Sequence, residues 1–137
     1  HHTVWISLSF TTRNYIMIDE FSWFVGFYEG EGTITSSKSH GTKIAIRIRN
    51  TDYDNVLRSS KFLGVKPLKV SRIRKDGTKK EYIPDHHKDM WEVTKSGGSS
   101  RGKLFNLLQK MRPHLSSRRQ QQIDETIKKA RSRSKKI

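Results

Sequence analysis

The stretch "FVGFYEGEG", residues 24–32, joins an apolar run to glycines that alternate with two acids, Glu29 and Glu31. The residues before it, "IDEFSWFV", are typical of the start of a helix, and Asp19 is a residue type that caps helix N-termini. A glycine inside a helix costs about 1 kcal/mol relative to alanine. The sequence therefore predicts a helix that begins after Asp19 and stops at Gly32. The presence of glycines inside this helix requires a separate explanation.

Two of these glycines, Gly26 and Gly30, lie four residues apart and share one face of the predicted helix. Small residues at this spacing allow a second helix backbone to come very close, for a steric reason that does not require a membrane. Glu31 then lies where the helix ends, so two such helices side by side would bring two Glu31 carboxylates together. Paired carboxylates beside a phosphate-rich partner are suited to divalent metal ions. The alternative is a tight helix–loop junction with acids that serve capping and solubility.

Charge is distributed unevenly along the 137 residues, which carry 28 Lys+Arg against 13 Asp+Glu and a net charge of +15. Residues 1–64 hold 7 basic and 6 acidic side chains, whereas residues 65–137 hold 21 and 7. Such an excess indicates a polyanionic partner, most often nucleic acid, and a solvated basic face with a basic tail is the alternative. The absence of cysteine excludes disulfides and thiolate metal sites. No apolar run has the length of a membrane span, so no membrane partner is predicted.

Alternating and amphipathic patterns predict the elements that follow the first helix. In "TKIAIRIRN" the three isoleucines fall on one face, and Lys43, Arg47 and Arg49 fall on the other. The order of elements predicts an α+β domain with one mostly antiparallel sheet. The predicted strands are 33–38, 42–50, 66–75 and 89–96. The first two form a predicted hairpin with a turn at 39–41, and a loop is predicted at 97–102. The further predicted helices are 51–64 (capped by Thr51 or Asp52 and ended by Gly64), 103–112 and 116–130.

The domain itself is expected to span residues 19–130. Residues 1–18 form a lead-in, whose two histidines we interpret as a cloning remnant and whose pattern is not that of a signal peptide. Residues 131–137 are predicted to be a mobile basic tail.

Basic residues on the predicted strands would give the sheet one basic face. The major groove of B-DNA is about 12 Å wide and admits a β-ribbon, and arginine or lysine there contacts phosphates or guanine edges. For each residue, phosphate contact or simple solvation is the alternative to base readout. The residues expected to contact DNA are Lys43, Arg47, Arg49, Lys69, Arg72, Arg74 and Lys95.

The run from Phe24 to Gly32 resembles the LAGLIDADG motif of the homing endonucleases, with both acids and the small positions in register. "RIRNTDYDNV" resembles the family's strand-to-helix junction, and "LFNLLQKMRPHLSSRRQQQIDETIKK" resembles its C-terminal helical region. The likeness covers roughly residues 19–130. It implies an αββαββα homing-endonuclease fold, with a saddle-shaped antiparallel sheet placed on DNA and additional C-terminal helices.

The resemblance also implies an activity, namely a site-specific double-strand break in double-stranded DNA with short 3′ overhangs. The implied cofactor is Mg²⁺, with Mn²⁺ as a substitute and Ca²⁺ permitting binding without cleavage. A chain with a single motif implies a homodimer that reads a near-palindromic target. The alternative on the same fold is an RNA maturase, with intron RNA as partner, or a non-cleaving DNA-binding module. Intron-encoded members imply an organelle or a prokaryotic cytoplasm. The residues implied at the dimer interface are Phe24, Gly26, Phe27 and Gly30.

Within the motif, the resemblance implies a role for each polar position. Glu31 matches the metal-binding acid, and the carbonyl of Gly30 adds a ligand. Glu29 matches the first acid of the motif, which has a structural capping role.

Outside the motif, the resemblance implies two further catalytic positions. Asn50 corresponds to a polar residue that helps to order water around the metal ions. Arg118 corresponds to a basic residue near the scissile phosphate. Arg119 is the second candidate for this position and is also expected to contact DNA, and Lys95 is a weaker candidate. Arginine does not act as a base at neutral pH, but it stabilises charge on a phosphate.

Overall fold

The computed structural model describes residues 18–36, 41–70 and 88–134. This part of the chain is α+β, as predicted, with a four-stranded antiparallel sheet and four α-helices. The order αββαββα, followed by one more helix, also agrees with the expected order. The elements are α1 (Glu20–Glu31), β1 (Gly32–Ser36), β2 (Lys43–Asn50), α2 (Tyr53–Leu63), β3 (Leu68–Lys69), β4 (Trp91–Gly98), α3 (Lys103–Met111), a 3₁₀ turn (Arg112–His114) and α4 (Ser117–Ser134).

The sheet has the strand order β1-β2-β4-β3, and each pair of neighbours is antiparallel. The predicted hairpin of β1 and β2 is confirmed, with Gly32 opposite Ile48. Arg47 lies opposite Thr33 on one side and Thr94 on the other. Residues directly opposite each other in such a ladder share a face of the sheet. The register therefore decides which side chains face the helices.

One face of the sheet packs against the helices and forms the core. The isoleucines of β2 are buried there, as the alternating pattern predicted, and Val93 of β4 is buried beside them. Burial of this apolar surface is the main force that holds sheet and helices together. The fully buried helix residues include Phe24, Tyr28, Val56, Leu104, Leu108, Met111 and Ile123. The opposite side, here called the open face, consists of Thr33, Thr35, Lys43, Ala45, Arg47, Arg49, Leu68, Glu92, Thr94, Ser96 and Gly98.

The predicted helix caps are confirmed at the starts of α1 and α2. The Asp19 carboxylate accepts a hydrogen bond from the backbone N–H of Ser22 at 2.8 Å, and Asp52 accepts one from the N–H of Asp54 at 3.0 Å. Each satisfies an N–H that the first turn leaves without a partner. Gly64 ends α2 with φ of +73°, a left-handed conformation that favours glycine.

The structure corrects two predicted boundaries. β4 includes Gly97 and Gly98, which were predicted as a loop, and a Cβ on Gly97 would lie 2.9 Å from the Cβ of Leu104. Glycine thus lets α3 pack closely on the end of the strand. α4 continues to Ser134, so Arg131 and Arg133 belong to a helix and not to a mobile tail.

Other predictions lie partly outside the described residues. Only Leu68–Lys69 of the strand predicted at 66–75 forms a strand in the part that the structure describes, and residues 71–87 are not described. The lead-in 1–17 and most of the turn at 39–41 also lie outside the described residues. Among the helices described here, none is both long enough and apolar enough to cross a membrane.

Candidate functional site

α1 passes directly into β1, with Glu31 as the last helical residue and Gly32 as the first of the strand. Glu31 is exposed, whereas Gly32 is buried. A Cβ at position 32 would fall on the ring of Tyr28, which is fully buried. Gly32 is therefore required by close packing, since its φ of −76° is open to any residue.

One side of α1 is left uncovered by the rest of the described chain. A Cβ on Gly26 or on Gly30 would meet no heavy atom within 4 Å. Beside the glycines, the half-buried rings of Trp23 and Phe27 stack with their centroids 5.0 Å apart. We call Gly26, Phe27 and Gly30 the uncovered face, and Trp23 lies at its border, where the guanidinium carbon of Arg58 is 4.3 Å from the centroid of the Trp23 ring. Sequence reasoning missed Trp23, although its i, i+3, i+4, i+7 spacing with the other three was the signal.

Phe24, predicted at the dimer interface, lies instead in the core. Its side chain is 0% exposed and stacks on Phe62 with ring centroids 4.9 Å apart. The reason is helical periodicity, because residues 24 and 26 are about 200° apart around a helix of 3.6 residues per turn. The uncovered face thus keeps Gly26, Phe27 and Gly30 of the predicted set and excludes Phe24.

Glu29 binds Ser116, which lies 87 residues later in the chain and directly precedes α4. Its carboxylate accepts hydrogen bonds from the backbone N–H of Ser116 at 2.7 Å and from the Ser116 hydroxyl at 2.9 Å. The backbone bond is the main cause that holds the pKa of Glu29 below its ordinary value, and Arg119 and Arg118 act in the same direction. A carboxylate at the N-terminal end of α4 also complements the helix dipole. The structural role predicted for Glu29 is confirmed.

Arg119 connects the same two elements from within the protein. Its side chain is buried, its Nε donates to the carbonyl of Glu29 at 2.9 Å, and its Nη1 donates to the carbonyl of Gly32 at 2.6 Å. Nη1 also donates to Oε1 of Gln122 at 3.0 Å. The structure thereby gives this guanidinium an internal role at the end of α1, in place of the DNA contact that the sequence predicted.

Arg118 differs from its neighbour because it is exposed in the first turn of α4. The contacts of Glu29 and Arg119 bring this turn against the C-terminal end of α1, where Glu31 is also exposed. Arg118 is close enough to Glu29 to lower the pKa of its carboxyl. The structure therefore places Glu31 and Arg118 at one helix junction.

Asn50 is half-buried at the last position of β2, and its Oδ1 accepts a hydrogen bond from the backbone N–H of Asp52 at 2.7 Å. This bond supports the turn into α2. Because Gly32 lies opposite Ile48, Asn50 and Glu31 are at the same end of the sheet. Two of the predicted catalytic residues, Glu31 and Asn50, thus lie at the same end of the sheet.

Three of the predicted DNA-contacting residues, Lys43, Arg47 and Arg49, lie on the open face. This agrees with the alternation of β2, which predicted isoleucines on one face and these basic residues on the other. Arg49 is also paired across the ladder, because its Nε donates to Oε1 of Glu92 at 2.7 Å.

Two others do not lie on this face. Lys95 is opposite Ile46, so its side chain is on the helix side, where its Nζ donates to the carbonyl of Leu63 at 3.0 Å. Lys69 is opposite Trp91, and this register puts both residues on the helix side of the sheet. The Nζ of Lys69 lies 3.2 Å from Oδ2 of Asp89. The prediction had grouped basic residues by composition without assigning the β4 register. Arg72 and Arg74 lie outside the described residues.

The acids of the described ranges do not by themselves assemble a metal centre within one chain. Among residues 18–36, 41–70 and 88–134, no group of three or more histidine, cysteine or acidic side chains is placed to share a metal ion. The donors near the end of α1 are the exposed Glu31 carboxylate and the backbone carbonyls around it.

Comparison of the chain with protein-family models, with curated proteins and with solved structures found no match in any of the three.

Proposed function

We propose that the chain is one subunit of a homodimeric, divalent-metal-dependent DNA endonuclease of the LAGLIDADG homing-endonuclease type. The observation that carries this proposal is the end of α1, where an exposed Glu31 continues an uncovered face that contains Gly26 and Gly30. Helix α1 then leads directly into a sheet whose open face is basic. The proposal extends to the fold, in which the sheet would sit on DNA as a saddle.

The partner proposed for the uncovered face is a second copy of the same helix. α1 is rich in apolar residues, and its two exposed glycines, Gly26 and Gly30, lie on the side that the described chain leaves open. Glycines four residues apart allow two backbones to come close, and a twofold interface places the same residues of both chains against each other. One Glu31 from each subunit would then lie at the end of the helix pair.

Metal binding is proposed for Glu31 and for the carbonyl of Gly30. Mg²⁺ is usually held by one or two carboxylates together with phosphates and water, so one Glu31 from each chain fits its donor preference. When bound, such ions stabilise the attacking and leaving oxygens of phosphodiester cleavage. Arg118 would stabilise the charge of the phosphate from the first turn of α4. Asn50 already uses its Oδ1 within the chain, so it would hold water through its NH₂ group.

DNA contact is proposed for the open face, and Arg47 occupies its centre. It is flanked by Thr33 and Thr94 in the neighbouring strands. Arginine on a β-surface can reach phosphates or guanine edges, and threonine hydroxyls reach either. The net charge of +15 favours association with DNA in general.

Selection from a random duplex pool tests this proposal. Duplexes are bound in Ca²⁺, recovered and then exposed to Mg²⁺. A long near-palindromic site cut on both strands is the expected result. Glu31→Gln should abolish cutting and leave duplex binding nearly intact, while Glu125→Gln, an exposed change within α4, should leave both unchanged. Binding without cutting would support the non-cleaving module, and no preferred duplex would turn attention to structured RNA.

The dimer is tested separately through Gly26. Gly26→Leu places a large side chain at the centre of the uncovered face, and we expect it to convert the dimer to a monomer in sedimentation velocity. Asn106→Leu, at an exposed position of α3, is the control. Equal association constants for wild type and Gly26→Leu would remove α1 from the interface.

A further inference from the structure

Arg119 donates hydrogen bonds to the backbone on both sides of the proposed metal-binding residues. Its two carbonyl partners belong to Glu29 and Gly32, and Gly30 and Glu31 are the residues between them. The guanidinium therefore holds the segment 29–32 at both ends without a described contact to the Glu31 carboxylate itself.

The guanidinium is itself held firmly. Its side chain is only 8% exposed, it shares a hydrogen bond with Gln122, and it lies 5.5 Å from the centroid of the Tyr28 ring. The Glu29 side chain adds a second link between α1 and α4 through Ser116. Two independent attachments thus fix the end of α1 relative to the start of α4.

The end of α1 needs such a group for an electrostatic reason. The last carbonyls of a helix lack intrahelical donors, and the helix dipole makes this end negative. α1 has no basic residue in its own last turn, yet its last residue is the acid Glu31. Arg119 supplies from α4 a donor to one of these carbonyls, that of Glu29, together with a positive charge.

We propose that Arg119 is a positioning residue for Glu31, which it presents by fixing residues 29–32 from within the protein. The consequence for cleavage rests on the proposed function, whereas the effect on residues 30 and 31 concerns the free protein and stands apart from it. Arg118, the exposed neighbour, keeps the phosphate as its partner. The two adjacent arginines therefore have different roles.

Arg119→Lys tests this role because lysine keeps the charge but lacks the fork of N–H groups that joins two carbonyls. Arg131→Lys is the matched control. Arg131 also lies on α4, donates from Nε to a backbone carbonyl, that of Ser99 at 3.0 Å, and lies 5.5 Å from the ring of Phe105. It differs in that it is near the other end of α4, away from Glu31.

The first readout is NMR of the free protein. In Arg119→Lys we expect the backbone order parameters of residues 30 and 31 to fall from about 0.85 towards about 0.6, with a shift of the Glu31 side-chain carboxyl signal. Arg131→Lys should leave these signals unchanged. A folded Arg119→Lys with unaltered order at residues 30 and 31 would overturn the proposal. Should Arg119→Lys fail to fold, the wild type still tests the proposal, because backbone order parameters of about 0.6 at residues 30 and 31 would mean that Arg119 does not fix them.

The second readout separates positioning from binding. In single-turnover cleavage at saturating protein, Arg119→Lys should lower the rate constant about 100-fold, because an error of about 1 Å in placement has an effect of this size. The Kd for the duplex in Ca²⁺ should stay within about threefold of wild type. An unchanged rate constant, or a loss confined to the Kd, contradicts the positioning role. A wild type that neither binds nor cuts duplex DNA refutes the proposed function, and the NMR result then decides the role of Arg119 alone.

Discussion

The ring of Tyr28 lies against Gly32 so closely that it occupies the place of a Cβ on that residue. Both residues are buried, and together they form the point where α1 ends and β1 begins. Packing within one chain therefore explains why residue 32 is glycine. It does not explain Gly26 and Gly30, since a Cβ on either would meet no atom of the described chain within 4 Å.

Gly32→Ala should destabilise the fold. The added methyl group would overlap the ring of Tyr28, which is fully buried, and overpacking of this kind costs about 1–3 kcal/mol in the free energy of unfolding. Urea denaturation measures this cost. Gly26→Ala is the control, for which we expect a gain of up to about 1 kcal/mol in the monomer. Equal stability of Gly32→Ala and wild type would mean that the ring shifts without cost.

Tyr28→Phe should preserve or raise stability, most clearly at alkaline pH. The buried Tyr28 hydroxyl has no hydrogen-bond partner among the described residues, and burial raises the pKa of Tyr28 to about 12. The unfolded chain ionises near pH 10 while the native protein keeps its proton, so this tyrosine lowers stability as pH rises from 10 to 12. The shift corresponds to the order of 2–3 kcal/mol by pH 12. Urea midpoints of both proteins at pH 8 and pH 11 measure the difference, and parallel pH profiles would contradict it.

Glu29→Gln should lower the melting temperature at neutral pH, because the amide loses the charge that Ser116 and the start of α4 stabilise. The pKa of Glu29 is lowered in the native protein, mainly by the Ser116 N–H. Its contribution is therefore full above the ordinary value of 4.5 and disappears as pH falls through the native pKa. Calorimetry between pH 7 and pH 3 should show the two melting curves converge. Glu125→Gln, exposed within α4, is the control, and a constant gap at all pH values would exclude a charge effect.

Lys95→Met and Arg47→Met should distinguish the contributions of the two faces of the sheet to stability and to duplex binding. Arg47 lies on the open face, so its loss should weaken duplex binding about tenfold and reduce the salt dependence of log K by about one phosphate contact. Lys95 caps the end of α2 from the helix side, so its replacement should change stability and leave the Kd for duplex nearly unaltered. Fluorescence anisotropy at several salt concentrations measures both. A larger loss of affinity for Lys95→Met than for Arg47→Met would place DNA elsewhere.

Much of the fold could be read from short stretches of sequence. The caps Asp19 and Asp52, the left-handed Gly64 and the alternating isoleucines of β2 each act within a few residues, and the structure has them where the patterns predicted. The candidate site was predictable in part for the same reason. Glu31 at the end of α1 follows from the motif alone, and the glycine face follows from its spacing.

Long-range contacts decided the rest. The position of Lys95 depends on strand register, and a shift by one residue exchanges the two faces of a strand. Lys95 is two residues from Val93, which is buried, and residues two apart in a strand share a face. This spacing could have indicated that Lys95 lies on the helix side of the sheet. The burial of Phe24 depends on which side of α1 meets the sheet and α2.

The sequence by itself determined where α1 begins and ends, the alternation of the central strand and the acid presented at the helix end, because caps and periodicity act locally. Only the tertiary structure decided that Arg119 serves α1 while Arg118 faces solvent. These neighbours differ because one side of α4 packs against the end of α1, and their roles depend on contacts between residues that are 87 to 90 positions apart. No pattern along the chain records which side of a helix will meet a distant partner.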